Sequence, residues 1–295
     1  MSKDDYTGIG ILLLIIGIAL FGGTKNNLTG PPVDNTPKTE AEQRVDIQKQ
    51  LNEAEKQALD IQKQIDEKEA QKTESKYKGL VFIRYVSRST KPGNEYITIQ
   101  TDNKATTSIP ITGWTIRSAS SGNSITIPRA SYLFFAGQVN SEENIILSGG
   151  ETVYIVTGIS PNGASFKVNK CSGYLSQFQT FIPYLTTSCP RPREMDLSSI
   201  PKLTINDACL DYIEYFPSCK IETKTLPLNW SYECKNFIYE KINYNSCINT
   251  YKNDPDFYKK EWRVYLKRSD ILWKQRKENI ILYDNEGKIV HSLTY

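Results

Sequence analysis

Asp207, Asp211 and Glu214 fall close to helical spacing, and Asp254 and Asp256 flank Pro255. Carboxylates grouped in this way could hold a hard cation or act as a glycosidase acid and base. The first group has no accompanying histidine or glycine-rich turn. The second is a helix start, with Asp254 as N-cap and Pro255 as the first helical residue. His291 is the one histidine in 295 residues, which removes most histidine-based metal and triad schemes. Ser172 and Gly173 lack the strand–turn–helix setting of a nucleophile elbow. Gly149 and Gly150 form a turn with no helix behind it to receive a phosphate. The sequence therefore predicts no catalytic set, no metal site and no cofactor.

One stretch has more chemistry to offer. In KKEWRVYLKRSDILWKQRK, residues 259–277, the eight cations Lys259, Lys260, Arg263, Lys267, Arg268, Lys274, Arg276 and Lys277 face two acids. Tyr258, Trp262, Leu266 and Trp273 fall roughly on one helical stripe. A helix of this kind could hold an extracellular polyanion, whether DNA, a wall polymer or lipid head groups. The alternative is that the stripe docks on a neighbouring helical hairpin and the lysines are its wet face. The net charge of +3 is too small to announce a nucleic-acid binder.

Cys171, Cys189, Cys209, Cys219, Cys234 and Cys247 are even in number, and none is in C-x-x-C spacing. Three disulfides in an oxidising compartment are the economical reading, with buried free thiols or a zinc site as the alternative. Fifteen pairings are possible for six cysteines. We expect Cys171 with Cys189, closing a loop worth roughly 3 kcal/mol. Cys209 with Cys247 and Cys219 with Cys234 would then staple two antiparallel helices.

These residues need elements to position them. Residues 8–23, GIGILLLIIGIALFGG, carry no charge, and a helix over residues 6–23 would run roughly 27 Å. This predicts a single bilayer-spanning anchor behind a short cytoplasmic segment, residues 1–7, with the C-terminal remainder outside the cytoplasm. A cleaved secretory signal is the rival, weakened by an n-region poor in positive charge and by the lack of an A-x-A site. Residues 24–38 hold Gly30, Pro31, Pro32 and Pro37 and form a flexible linker. Residues 39–76 have no glycine or proline, and DIQKQ occurs in them twice, fourteen residues apart. Ile47, Leu51, Ala54, Ala58, Ile61 and Ile65 follow the 4-3 spacing of a coiled-coil seam. A homodimer or homotrimer is expected; the alternative is a lone solvated spacer held by i,i+4 charge pairs.

From Gly79 the period becomes alternating. Short strands are predicted at residues 80–86, 95–101, 111–117, 123–127, 144–147 and 151–157, with turn chemistry between them. They argue for a sandwich, with Tyr96, Trp114 and Tyr154 in its core or at the core edge. Residues 279–295, NIILYDNEGKIVHSLTY, have the pattern of a hairpin, and a two-stranded ribbon is marginal alone. EYITI at 95–99, ITGWTI at 111–116, Ile127 with Pro128, GETVYI at 150–155 and LYDNEGKIV at 282–290, closing at Tyr295, resemble the successive signatures of the lamin-tail domain. The resemblance covers residues 79–157 and 277–295. It implies an immunoglobulin-like fold used for interaction or tethering, with no catalytic residues to carry over, and a hairpin that closes the sandwich. Residues 158–276 depart from it and are expected to form a cysteine-containing, largely helical insertion.

The combined expectation is a mainly β fold with α: an immunoglobulin-like sandwich interrupted by a disulfide-rich helical insertion, behind an anchor and a short coiled coil. Its expected role is that of a noncatalytic envelope protein displaying an interaction module for tethering or adhesion. The partner would be an extracellular protein or a wall polymer; the alternative is polyanion binding by residues 259–277.

Overall fold

The computed structural model describes residues 39–295, so the expected anchor at 8–23, the segment 1–7 and the linker 24–38 lie outside the described residues. Among the described residues, no helix is long and apolar enough to cross a membrane. The chain divides after Lys72 into two units.

In the first unit α1 (Glu40–Thr73) runs without a break. Its sequence is rich in strong helix formers and carries i,i+4 side-chain bonds such as Gln48 to Asn52 and Gln62 to Asp66. Ile47, Leu51, Ala54, Ile61 and Ile65 are exposed along it and Ala58 is half-buried.

The second unit, residues 73–295, mixes α and β. Its strands are β1 (Val81–Ser87), β2 (Tyr96–Thr101), β3 (Ile109–Pro110), β4 (Thr115–Ser118), β5 (Ser124–Thr126), β6 (Ile146–Leu147), β7 (Thr152–Val156), β8 (Phe166–Asn169), β9 (Tyr258–Tyr265), β10 (Asn279–Tyr283) and β11 (Ile289–Thr294). They make a five-stranded sheet in the order β1-β2-β7-β9-β8, a four-stranded sheet in the order β11-β10-β4-β5, and the small pair β3-β6. Alternation explains the core. Ile97 and Ile99 of β2, Val153 and Ile155 of β7, and Trp262 and Val264 of β9 turn to the same buried cluster as Ile116 of β4, Ile280 and Leu282 of β10 and Val290 of β11. Trp114 is in this core, whereas Tyr96 and Tyr154 are half-buried and meet edge-on, 5.9 Å apart.

The terminal hairpin is part of this construction. β10 pairs antiparallel with β4, from Ile280 opposite Ser118 to Tyr283 opposite Thr115, as well as with β11. The expected strand 111–117 is broken by a turn at Ile111 to Trp114: the Trp114 amide donates to the Ile111 carbonyl at 3.1 Å, and Gly113 takes φ +87°. Glycine occupies that left-handed conformation without the Cβ clash that others meet.

The interval 158–276 differs from the expected helical insertion in two ways. It supplies β8 and β9 to the five-stranded sheet, and β9 lies inside that sheet, parallel to β7 and antiparallel to β8. It also holds three short α-helices, besides three 3-10 turns, rather than a two-helix hairpin: α2 (Asp207–Tyr215), α3 (Tyr232–Lys241) and α4 (Tyr244–Tyr251). Phe216, extended at ψ 130° before Pro217, stops α2 ahead of Cys219. Ser231 and Asn243 cap two new helices, accepting from the Cys234 and Ser246 amides at 3.2 and 2.9 Å. Asp254 and Pro255 lie in a turn before β9 and start no helix.

Three disulfides are present, with different partners from those expected. Cys171 joins Cys247, Cys189 joins Cys219 and Cys209 joins Cys234; the expected pairs Cys171–Cys189, Cys209–Cys247 and Cys219–Cys234 do not form. The expectation required Cys209 and Cys219 on one helix and Cys234 and Cys247 on another. The breaks at Pro217 and Asn243 put Cys219 in a loop and give Cys247 its own helix. A second buried cluster surrounds the three bridges and takes in Val156, Phe166, Val168 and Tyr265 from the five-stranded sheet. The disulfide region thus shares apolar packing with the strands beside it.

Candidate functional site

Residues 259–277 form no helix. They begin within β9 and continue as the loop from Leu266 to Glu278. Tyr258, Trp262 and Leu266 are four apart, a spacing that fits both a helical stripe and one face of a strand, because four is also a multiple of two. Val264 decides for the strand: it fills the even position between Trp262 and Leu266, and Val and aromatic residues favour the pleated sheet.

The consequence for the eight candidate cations is a separation. Arg263 is buried: its Nε donates to Glu261 Oε1 at 2.6 Å, its two terminal nitrogens donate to the Pro183 and Tyr184 carbonyls, and its plane lies 4.4 Å from the Tyr154 ring centre. It clamps the 183–184 segment to the sheet and faces no solvent. Lys259 is half-buried, and Lys260 donates to the Gly149 carbonyl at 3.3 Å. Lys267, Arg268, Lys274, Arg276 and Lys277 are exposed on the loop.

Beside β9 lies a buried ion pair that sequence reading did not find. Lys167 Nζ donates to Glu151 Oε1 at 2.7 Å, Trp262 Nε1 donates to Glu151 Oε2 at 3.2 Å, and the ammonium sits 4.8 Å from the Trp262 ring centre and 5.4 Å from that of Tyr132. With side chains 4% and 9% exposed, the two charges are worth having in place only as a pair. The available signal was Lys167 itself, a charge between Phe166 and Val168.

Two further carboxylates are fully buried and hold the basic loop. Glu95 accepts from the Leu272 amide at 2.8 Å and the Trp273 amide at 3.4 Å. Burial pushes its carboxyl up; those two bonds oppose the rise and Asp270 adds to it. Glu278 accepts from Ser118 Oγ at 2.9 Å and from the Lys274, Asn279 and Ser120 amides at 3.1, 2.9 and 3.4 Å. Burial works against its ionisation, but these donors outweigh it and keep the carboxyl below the ordinary carboxylate value. His291 Nδ1 accepts from the Ile83 amide at 3.3 Å, joining β11 to β1. Burial, with Arg84 nearby, lowers its pKa and favours the neutral ring that this acceptor role requires.

Asp207, Asp211 and Glu214 share α2 at the expected helical spacing, and Asp254 and Asp256 lie in the turn before β9. Glu214 pairs with Arg193 at 3.2 Å, and Lys170 bridges Asp254 and Asp256 at 2.8 and 2.6 Å. Asp211 lies on the rim of a shallow groove of about 500 Å³ with Tyr212, Tyr215, Phe216 and Glu222. Among the described residues, no three or more histidine, cysteine or carboxylate side chains come together in a group that could hold a metal ion.

No family model matches this chain, and no curated protein is similar to it in sequence.

Proposed function

We propose that this chain is a noncatalytic envelope protein that carries an interaction module away from a membrane. Residues 8–23 anchor it, with the C-terminal part outside the cytoplasm; α1 is a stalk that pairs with one or two further copies through Ile47, Leu51, Ala54, Ala58, Ile61 and Ile65. The unit at 73–295 is the module, and we assign it to the immunoglobulin-like sandwiches of lamin-tail type.

The observation that carries this reading is the set of three disulfides, with all six cysteines used and none free. Such bridges form and persist in oxidising compartments. The pairing of β10 with β4 supports the lamin-tail assignment, since the resemblance implies that the terminal hairpin closes the sheets. The noncatalytic reading is supported by how the acid–base groups are used: Glu95 and Glu278 both accept backbone amides, and His291 accepts another. Groups spent on holding the backbone are poorly placed to exchange protons with a substrate.

The test is thiol labelling and protease access on intact cells that produce the chain. The reading expects no maleimide labelling without reductant and loss of the 73–295 unit to added protease. Labelling of all six cysteines without reductant, together with full protection from protease, would overturn it.

A further inference from the structure

The loops at one end of the second unit converge, although they are far apart in sequence. Arg88 donates to the Gln275 carbonyl at 2.8 Å, and Gln275 Nε2 returns a bond to the Ser89 carbonyl at 3.1 Å. Lys274 Nζ donates to the Ser120 carbonyl at 3.1 Å, and Ser120 Oγ donates to the Lys277 carbonyl at 3.1 Å. Arg268 and Lys267 tie back through their amides to Thr157 and Gly158, beside Gly93. The β1–β2 turn, the β4–β5 turn and the β9–β10 loop therefore make one surface.

Its charge is one-sided. Segments 88–95, 118–124 and 266–279 hold seven cations and three carboxylates. Of the three, Glu95 and Glu278 are fully buried with their oxygens on backbone amides, while Asp270 is spent on Arg268 in a two-pronged pair at 2.9 and 2.8 Å. Arg88, Lys91, Lys267, Lys274, Arg276 and Lys277 remain exposed. The buried carboxylates also fix the backbone beneath them, so little ordering is left to oppose binding. Ser89, Thr90, Asn94, Ser121 and Gln275 add neutral hydrogen-bonding groups among the cations.

We propose that this end binds a linear phosphodiester polymer through its phosphates alone. Several cations on one surface suit a chain of repeated charges, each contact releasing a counterion. Within these loops the one aromatic residue, Trp273, is buried, and the half-buried Tyr295 beside them has the Arg88 guanidinium 4.9 Å from its ring centre and its hydroxyl on the Lys274 carbonyl, so no run of open rings offers successive bases a stacking platform and the recognition is blind to base. The expected polyanion site on a helix at 259–277 is replaced by this one: Lys259, Lys260 and Arg263 drop out, and Arg88 and Lys91 enter from the β1–β2 turn. The inference deepens the interaction-module reading by naming a ligand class, and it stands on geometry that does not depend on the membrane anchor.

The test uses the full chain in detergent micelles with fluorescent poly(glycerol phosphate) and a random-sequence DNA duplex, titrated from 50 to 300 mM NaCl. Binding should weaken linearly in log–log form with a slope of about −3 to −4. K91Q/R276Q/K277Q should weaken it about tenfold or more at 100 mM NaCl and flatten the slope by about 2 to 3. K202Q/K220Q/K224Q, an equal charge loss in the disulfide region, should change it less than twofold. If the first triple alters the melt, K91Q/K267Q/K274Q replaces it. Binding of either polymer in this pattern supports the site and identifies its ligand. Equal weakening by both triples, binding of neither polymer, or binding only to phosphatidylglycerol vesicles overturns it. Cell-surface protease access tests the envelope reading independently of this outcome.

Discussion

Removing the bridge between Cys171 and Cys247 is the perturbation whose size the structure sets most directly. The two residues are 76 apart, and the other two bridges lie inside that loop and shorten its effective length to about 45 residues. Chain-entropy reasoning then assigns the outer bridge roughly 4 kcal/mol, lost when the unfolded chain is freed. Both cysteines are buried, at 0% and 3% exposure, so alanine is the replacement that avoids burying new hydroxyls. For a unit of this size each kcal/mol moves Tm by roughly 2–4 °C, which gives a loss of about 8–16 °C for C171A/C247A. Calorimetry of the full chain without reductant, alongside peptide mapping of the intact protein, checks both halves. A shift under about 3 °C, or a mapped bridge from Cys171 to Cys189, would refute the reasoning, because the large loop would then not be the one closed.

Other expectations follow from the buried polar groups and the stalk. K167M leaves the Glu151 carboxylate buried without its cation and should cost about 3–5 kcal/mol in urea unfolding, whereas E151Q/K167M should recover part of it; a cost under about 1 kcal/mol would mean that the pair is not sequestered. Glu278 is held below the ordinary value of 4.5, so the stability it contributes is present above 4.5 and lost as pH falls through its folded value. Relative to E278Q, the wild type should therefore lose its advantage on acidification from pH 5 to 3. Glu95 is raised, so its contribution is greatest below 4.5 and is lost as pH rises through its folded value; the wild type should gain on E95Q between pH 7 and 4.5, and parallel curves for the two variants would contradict both signs. In α1, L51D/I61D should turn an oligomer into a monomer in analytical ultracentrifugation, and an unchanged mass would reject the seam.

Most of the strands were legible because the core needs period-two burial on each of them: the alternation in YITIQT and TVYIV is the same physics that buries Ile97, Ile99, Val153 and Ile155. The terminal hairpin was legible for the same reason. What failed was whatever depended on contacts distant in sequence. Tyr258, Trp262 and Leu266 satisfy two periods at once, so only the neighbouring strands β7 and β8 settle that β9 belongs in a sheet. Disulfide partners depend on where helices stop, and Pro217 and Asn243 separate cysteines that spacing alone puts on two helices. The basic residues of the β9–β10 loop were visible in sequence. Their association with Arg88 and Lys91, and the buried carboxylates Glu95 and Glu278 that hold the loop in place, were not, because each bond spans a connection that no local pattern encodes.

The central claim is that the C-terminal hairpin completes a sheet begun about 160 residues earlier, where Ile280 meets Ser118. Ile280, Leu282 and Val290 are each 0% exposed, and burying them contributes about 5–9 kcal/mol, comparable with the whole stability of a domain. Hydrogen exchange on the full chain and on a chain ended at Lys277 measures this directly. The account predicts that truncation abolishes the cooperative melt and the protection of the β4 amides. A truncated chain with an unchanged Tm and protected β4 would contradict it.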